Sequence, residues 1–147
     1  MSTTIGKWRS LGVGLLVVNG LTLSAQNPAF NLWTPDQMSK AGALATYHNG
    51  LTTVAHREAS GGCEKHTKDD DLFVIQSGEA TLIVGGELLD EKATTRPNEM
   101  TGTSIRGGTT VKLTPGVVVH IAAGVPHQML LDAGKQITYF VLKVTNP

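Results

Sequence analysis

One cysteine, Cys63, stands alone in 147 residues, so the chain cannot close an internal disulfide and must be stable without one. Charge is also scarce. Charged residues make up 16% of the chain, against roughly 25% in an ordinary soluble domain. The formal net charge is zero, which leaves no basic footprint for a nucleic-acid partner. The apolar stretch from Leu11 to Leu23 falls short of the roughly 20 residues a membrane-spanning helix needs. Internal repeats and low-complexity segments are absent. The length suits one domain with a real core and excludes two ordinary ones. Glycine is plentiful at 17 residues and helix formers do not dominate, a profile of a turn-rich β domain rather than a helical bundle.

Residues 1–25 stand apart from the fold. Lys7 and Arg9 precede the apolar stretch, which only Asn19 and Thr22 interrupt, and Leu23-Ser24-Ala25 ends it in small residues before Gln26. A basic start, an apolar middle and a small-residue exit read as a secretory signal peptide, with an uncleaved anchor or a buried strand as the competing readings. Export would place the mature protein in the periplasm or outside the cell, with no stable membrane span left after cleavage. Loss of residues 1–25 removes two of the 12 basic residues and none of the 12 acids, leaving a net charge of −2.

The mature chain opens with an arm and a short helix over residues 26–50. Thr34 is the expected cap, Pro35 the first helical position and Asp36 an acid in the first turn, with the helix running to about Leu44. After the turn pair Asn49-Gly50, β-type runs follow at Leu51 to Ala59, Leu72 to Gln76, Ala80 to Val84, Thr109 to Leu113, Val117 to Ile121, Gln128 to Leu131 and Gln136 to Val144. Glycine turns separate them. This spacing predicts a sandwich or barrel over residues 51–147. Glu87 to Arg106, with little periodicity, reads as a long excursion between strands.

Two stretches concentrate metal-ligand chemistry. Glu64 and His66 are two apart and share a face if the segment is extended. Asp71 follows after four residues, enough to turn the chain and aim its carboxylate back. Further on, His127 opens a strand after the turn that follows Gly116 to Ile121. Imidazole and carboxylate together suit a first-row divalent ion with positions left open for water or substrate. A metal-free barrel with a polar pocket is the alternative.

The second stretch resembles a cupin motif: Gly116, five residues, Ala122-Ala123-Gly124, two residues, His127, with alanine where the family has proline. The first cupin motif is matched at its end, since Asp71, six residues, Gly78 keeps the spacing with aspartate in the glutamate slot. Counting back from Asp71 puts His66 on the motif's second histidine and Glu64 on its first. The resemblance runs from about Leu51 to Val144. It implies an all-β fold, a single cupin barrel (double-stranded β-helix or jelly roll) with one short N-terminal helix. It also implies a divalent metal held by Glu64, His66, Asp71 and His127 in place of the family's usual three histidines and one glutamate. That harder set favours Mn²⁺ or Fe²⁺, with Zn²⁺, Ni²⁺ or Co²⁺ as alternatives. A small-molecule substrate or ligand and a homodimer are further family-level expectations.

Similar cupins include dioxygenases, isomerases and lyases, so the expectation is an exported metal-dependent enzyme on a small organic molecule. A non-catalytic small-molecule or metal-binding module of the cell envelope is the alternative. His120 is the candidate catalytic acid–base group if it lines the pocket, and a structural histidine otherwise. Arg57 would orient an anionic substrate if it faces inward. His48 and His56 read as surface or edge residues, Lys68, Asp69 and Asp70 as a solvated turn, Phe73, Tyr139 and Phe140 as core, and Cys63 as an inert thiol.

Overall fold

Strand β4 (Asp69–Gly78) follows the local rule that builds the domain: residues 69, 71, 73 and 75 are buried, and the residues between them are only half-buried. A period of two puts alternate side chains on opposite faces of a sheet, so one face of this strand carries Asp69, Asp71, Phe73 and Ile75 inward. The structure is a computed structural model that describes residues 30–147. The expected signal peptide lies outside the described residues.

Two antiparallel sheets make the barrel. In the first, β1 (Gly42–Tyr47), β2 (Gly50–Arg57), β13 (Ile137–Thr145), β4 and β11 (Val118–Ile121) lie in that order. In the second the order is β10 (Thr109–Leu113), β5 (Ala80–Val84), β12 (His127–Leu130), β3 (Cys63–His66), β8 (Glu99–Gly102) and β7 (Lys92–Ala93). Phe73, Ile75, Ile121, Ile137, Tyr139 and Val141 from the first sheet meet Ala80, Leu82, Leu113 and Met129 from the second in one core. Full burial of side chains of this size stabilises by about 1.5–3 kcal/mol each. That inner packing replaces the cross-link the lone cysteine cannot make. All seven expected strands are present, within about three residues at their ends.

The helix is shorter than expected. It spans Pro35–Met38 only, and residues that read as its second half become β1. The start is as expected: Thr34 Oγ1 accepts from the Gln37 N–H, and Gln37 Oε1 accepts from the Thr34 N–H at 2.9 Å. The end is decided by pairing. Ala43 and Ala45 face Thr53 and Thr52 across the β1–β2 ladder, and the ladder outweighs the modest helix preference of Ala-Leu-Ala.

The excursion from Glu87 to Arg106 is also more ordered than its sequence suggests. It forms β6 (Glu87–Leu89), β7, β8 and β9 (Ser104–Arg106), with β6 pairing β9 and β8 extending the second sheet beside β3. Leu88 is buried, and a side chain at Gly102 would collide with it. One inward leucine per turn is too weak a period to read from sequence. Phe140 also departs from expectation: it lies on the outer face of β13, where its ring sits 5.8 Å from that of Trp33.

Candidate metal centre

The register of three strands brings the ligand-type residues together. Glu64 on β3 is directly opposite His127 on β12, so their side chains share the inner face. His66, two residues on from Glu64, is on that face as well. Asp71 reaches it from the other sheet, paired with Ile121 on one side and Lys143 on the other. The β3–β4 connection is only Thr67 and Lys68, because Asp69 and Asp70 already belong to β4.

Asp69 is buried, and Asp70 clamps the turn before His127, so neither is part of a solvated turn. Asp70 Oδ1 accepts the Ala123 N–H at 2.7 Å, and the Gly124 N–H donates to the His66 carbonyl at 2.7 Å. Gly124 has φ +82°, a conformation glycine adopts without strain. The turn that resembles a cupin motif is thereby tied to the strand that carries Glu64 and His66.

Among the described residues, Glu64, His66 and His127 place one donor atom each within 4.8 Å of the others. His127 Nε2 lies 3.4 Å from Glu64 Oε1 and 3.9 Å from Asp71 Oδ2, and His66 Nε2 lies 3.2 Å from Asp71 Oδ2. His127 Nδ1 is 3.2 Å from the Val125 carbonyl. A carbonyl only accepts, so Nδ1 carries the hydrogen in that contact and Nε2 is the ring atom that faces the cluster. That Nε2 is buried and has no hydrogen-bond partner, a costly arrangement in a protein alone. Donors about 2.1 Å from a first-row ion lie about 3 Å apart when adjacent; His127 and Glu64, at 3.4 Å, come near that, while Asp71 borders the three-residue group without belonging to it. The donor set fits a divalent ion.

Each carboxylate has a cation beside it. Lys143 Nζ is 2.7 Å from Asp71 Oδ1, an electrostatic contact without hydrogen-bonding angles. Burial opposes ionisation of Asp71, but His66 and Lys143 more than offset it and hold its pKa below the ordinary value. Burial likewise opposes ionisation of Glu64, and His127, His66 and Arg57 outweigh it, so its pKa is also lowered. Arg57 sits on the inner face of β2, opposite Ile137, and its Nε donates to the Tyr139 hydroxyl at 2.9 Å. Burial works against its charge, while Tyr139 and Glu64 more than restore it and raise its pKa. Phe73 closes the wall between Tyr139 and His127, with ring centroids 5.0 and 6.4 Å away.

His120 is placed differently from expectation. Its side chain is 59% exposed on the outer face and meets Asp70 Oδ2 at 3.3 Å. The neighbouring Ile121, not His120, takes the inward position on β11. Period-two alternation, which puts His120 out of phase with Ile121, decides this. His48 and His56 are exposed, and Cys63 is buried, its pKa raised by burial. Lys143 was missed in the sequence. Its signal was phase: it is in step with Ile137, Tyr139 and Val141, the buried positions of β13.

No protein-family model and no curated protein sequence matches the chain. Its architecture is similar to that of solved structures. The cupin domain of Schizosaccharomyces pombe Cnp3 is 12% identical, with a TM-score of 0.53 over 73% of this chain and 64% of that one. Hydroquinone 1,2-dioxygenase from Sphingomonas sp. TTNP3, with 4-hydroxybenzoate bound, is 13% identical, with a TM-score of 0.52 over 71% and 65%. An uncharacterised double-stranded β-helix protein from Klebsiella pneumoniae is also 13% identical, with a TM-score of 0.52 over 73% and 76%. The chain spans just under two thirds of the Cnp3 and dioxygenase chains. With two facing antiparallel sheets and an inward cluster at the ends of β3, β4 and β12, this chain has the cupin fold.

Proposed function

We propose that this protein is a metal-dependent enzyme acting on a small organic molecule, with chemistry of the dioxygenase type. Glu64, His66 and His127 would hold the ion, with Asp71 completing the set. The observation that carries this reading is the buried, unpartnered Nε2 of His127, aimed at two carboxylates. Two imidazoles with carboxylate and open positions favour Fe²⁺ or Mn²⁺. The likeness to hydroquinone 1,2-dioxygenase agrees with that class without fixing the substrate.

When bound, the ion supplies Lewis-acid polarisation of a substrate oxygen and redox capacity. The chain's own residues set the conditions. Val125 fixes the tautomer and tilt of His127, and Lys143 keeps Asp71 Oδ1 occupied so that Oδ2 faces the cluster. Phe73 and Tyr139 line the wall with apolar surface that excludes water. His120, on the outer face, has no part in the reaction proposed.

Protein purified without chelator should hold close to one first-row metal per chain, and His66→Ala and His127→Ala should each lose it. Full occupancy in either variant removes the ligand set. Oxygen consumption and product formation over phenolic, diketone and sugar substrates tests turnover. Saturable binding without turnover of any of them would leave a binding module instead. Export is part of the same proposal and rests on Lys7, Arg9 and the apolar stretch after them. Mature protein from the native host that begins near Gln26 would support it, and an intact N-terminus in the cytoplasm would remove it.

A further inference from the structure

The four ligand-type side chains are unequally accessible. His66, His127 and Asp71 are 9%, 4% and 3% exposed, whereas Glu64 is 30% exposed. Glu64 is therefore the member of the cluster nearest to solvent. Arg57 is the cation beside it. Its Nε is committed to Tyr139, and among the described residues neither terminal nitrogen has a hydrogen-bond partner. The Tyr139 hydroxyl fixes the plane of the guanidinium, and the missing side chain at Gly61 makes room for it, since a Cβ there would lie 3.1 Å from Nη1.

We propose that Arg57 is the anchor for a substrate carboxylate, so that the enzyme's substrates are small organic monocarboxylates. The inference rests on the metal-dependent reading above and names its substrate class. A guanidinium fork matches the two oxygens of a carboxylate in its plane. A dianionic phosphate would gain the same fork but would face the Glu64 carboxylate with a second negative charge, and among the described residues the other cation of the cluster, Lys143, is already paired with Asp71, 2.7 Å away. The acid docks on Arg57 and directs the rest of its skeleton toward His127.

Calorimetric titration with benzoate, benzamide and phenylphosphonate tests this, on metal-free and metal-loaded protein in parallel. Benzoate should bind wild type about ten- to hundredfold more tightly than benzamide, the range expected for charge-assisted hydrogen bonds. Arg57→Met should erase that preference, leave benzamide unchanged and keep metal content close to wild type, with a melting temperature lowered by the lost bond to Tyr139. Arg57→Lys, with the charge but not the fork, should restore only part of it. No benzoate binding, equal binding of benzoate and benzamide, tighter binding of phenylphosphonate, or an undiminished preference in Arg57→Met would each overturn the anchor. If the chain takes up no metal and turns nothing over, the functional reading fails, and the benzoate preference of the metal-free protein still decides the anchor.

Discussion

Replacing Lys143 by methionine keeps the length of the side chain and removes its charge, which isolates what the cation does for Asp71. In the wild type, Lys143 Nζ stands 2.7 Å from Asp71 Oδ1 inside the barrel. Breaking a buried ion pair by removing one partner costs about 3–5 kcal/mol, because the remaining charge is left buried. Two features lower the figure here. Lys143 is 21% exposed, and Asp71 keeps His66 Nε2 at 3.2 Å. We expect a loss of about 2–3 kcal/mol in metal-free protein, which is roughly 10 °C in melting temperature for a domain of this size. Added divalent metal should reverse the comparison. With Lys143 gone, the ion meets two carboxylates with one cation fewer beside them. The rise in melting temperature on adding Mn²⁺ should therefore be larger in Lys143→Met than in wild type. Calorimetric melts with and without the ion read both quantities. A metal-free variant as stable as wild type, or one that gains less from the ion than wild type does, would refute this account of the pair.

Other consequences can be checked in the same way. Stripping the metal should lower the melting temperature, since an ion at a hundred times its dissociation constant stabilises by about 2.7 kcal/mol; identical melts before and after chelation would count against the site. Gly78→Ala should destabilise by at least about 2 kcal/mol, because Gly78 has φ +77° and a Cβ there would lie 1.9 Å from the Gln136 carbonyl oxygen; urea unfolding measures this. Glu79 lies between Lys135, at 2.6 Å, and Lys112, at 3.2 Å, which lower its pKa. Its contribution to stability is present above its unfolded pKa of about 4.3 and is lost as pH falls through the lower folded value. Melting temperatures of wild type and Glu79→Gln should therefore differ at neutral pH and converge in acid. Glu64→His should retain metal uptake but move preference from Mn²⁺ or Fe²⁺ toward Zn²⁺ or Ni²⁺, read by competition between equimolar ions.

The strands of the barrel were legible as short β-type runs bounded by glycine turns. Leu72 to Ile75 is apolar throughout, and the period of two along β4 and β13 shows in burial rather than in residue type. The cluster was legible through spacing: the two-residue step from Glu64 to His66 puts both on the inner face of β3, and His127 follows a glycine turn that positive φ requires. Ala43 and Leu44 were read as helix because local preference does not report that β2 offers an edge. His120 and Asp70 were misplaced for a related reason. Both are polar residues beside buried ones, and only the pairing of His120 with Leu72 shows that they meet on the outside. Lys143 and Arg57 entered the site through strand pairing across more than 70 residues from Asp71 and more than 80 from Tyr139, which spacing within one motif cannot report.

Glu64 stands where the motif that the sequence resembles has a histidine. A half-buried carboxylate in place of an imidazole adds a negative charge that the barrel must offset. Lys143 answers Asp71 at ion-pair distance. Arg57 acts on Glu64 electrostatically, while Tyr139 holds its Nε. The two cations are therefore not equivalent. Lys143 is bound to its carboxylate and contributes to the fold, whereas Arg57 shares its field with Glu64 and keeps its terminal nitrogens free. A second negative group, a substrate carboxylate, can join Arg57 without displacing Glu64. The extra acid in the ligand set and the unsatisfied arginine beside it are two halves of one arrangement, in which the charge that holds the metal and the charge that receives the substrate are neighbours.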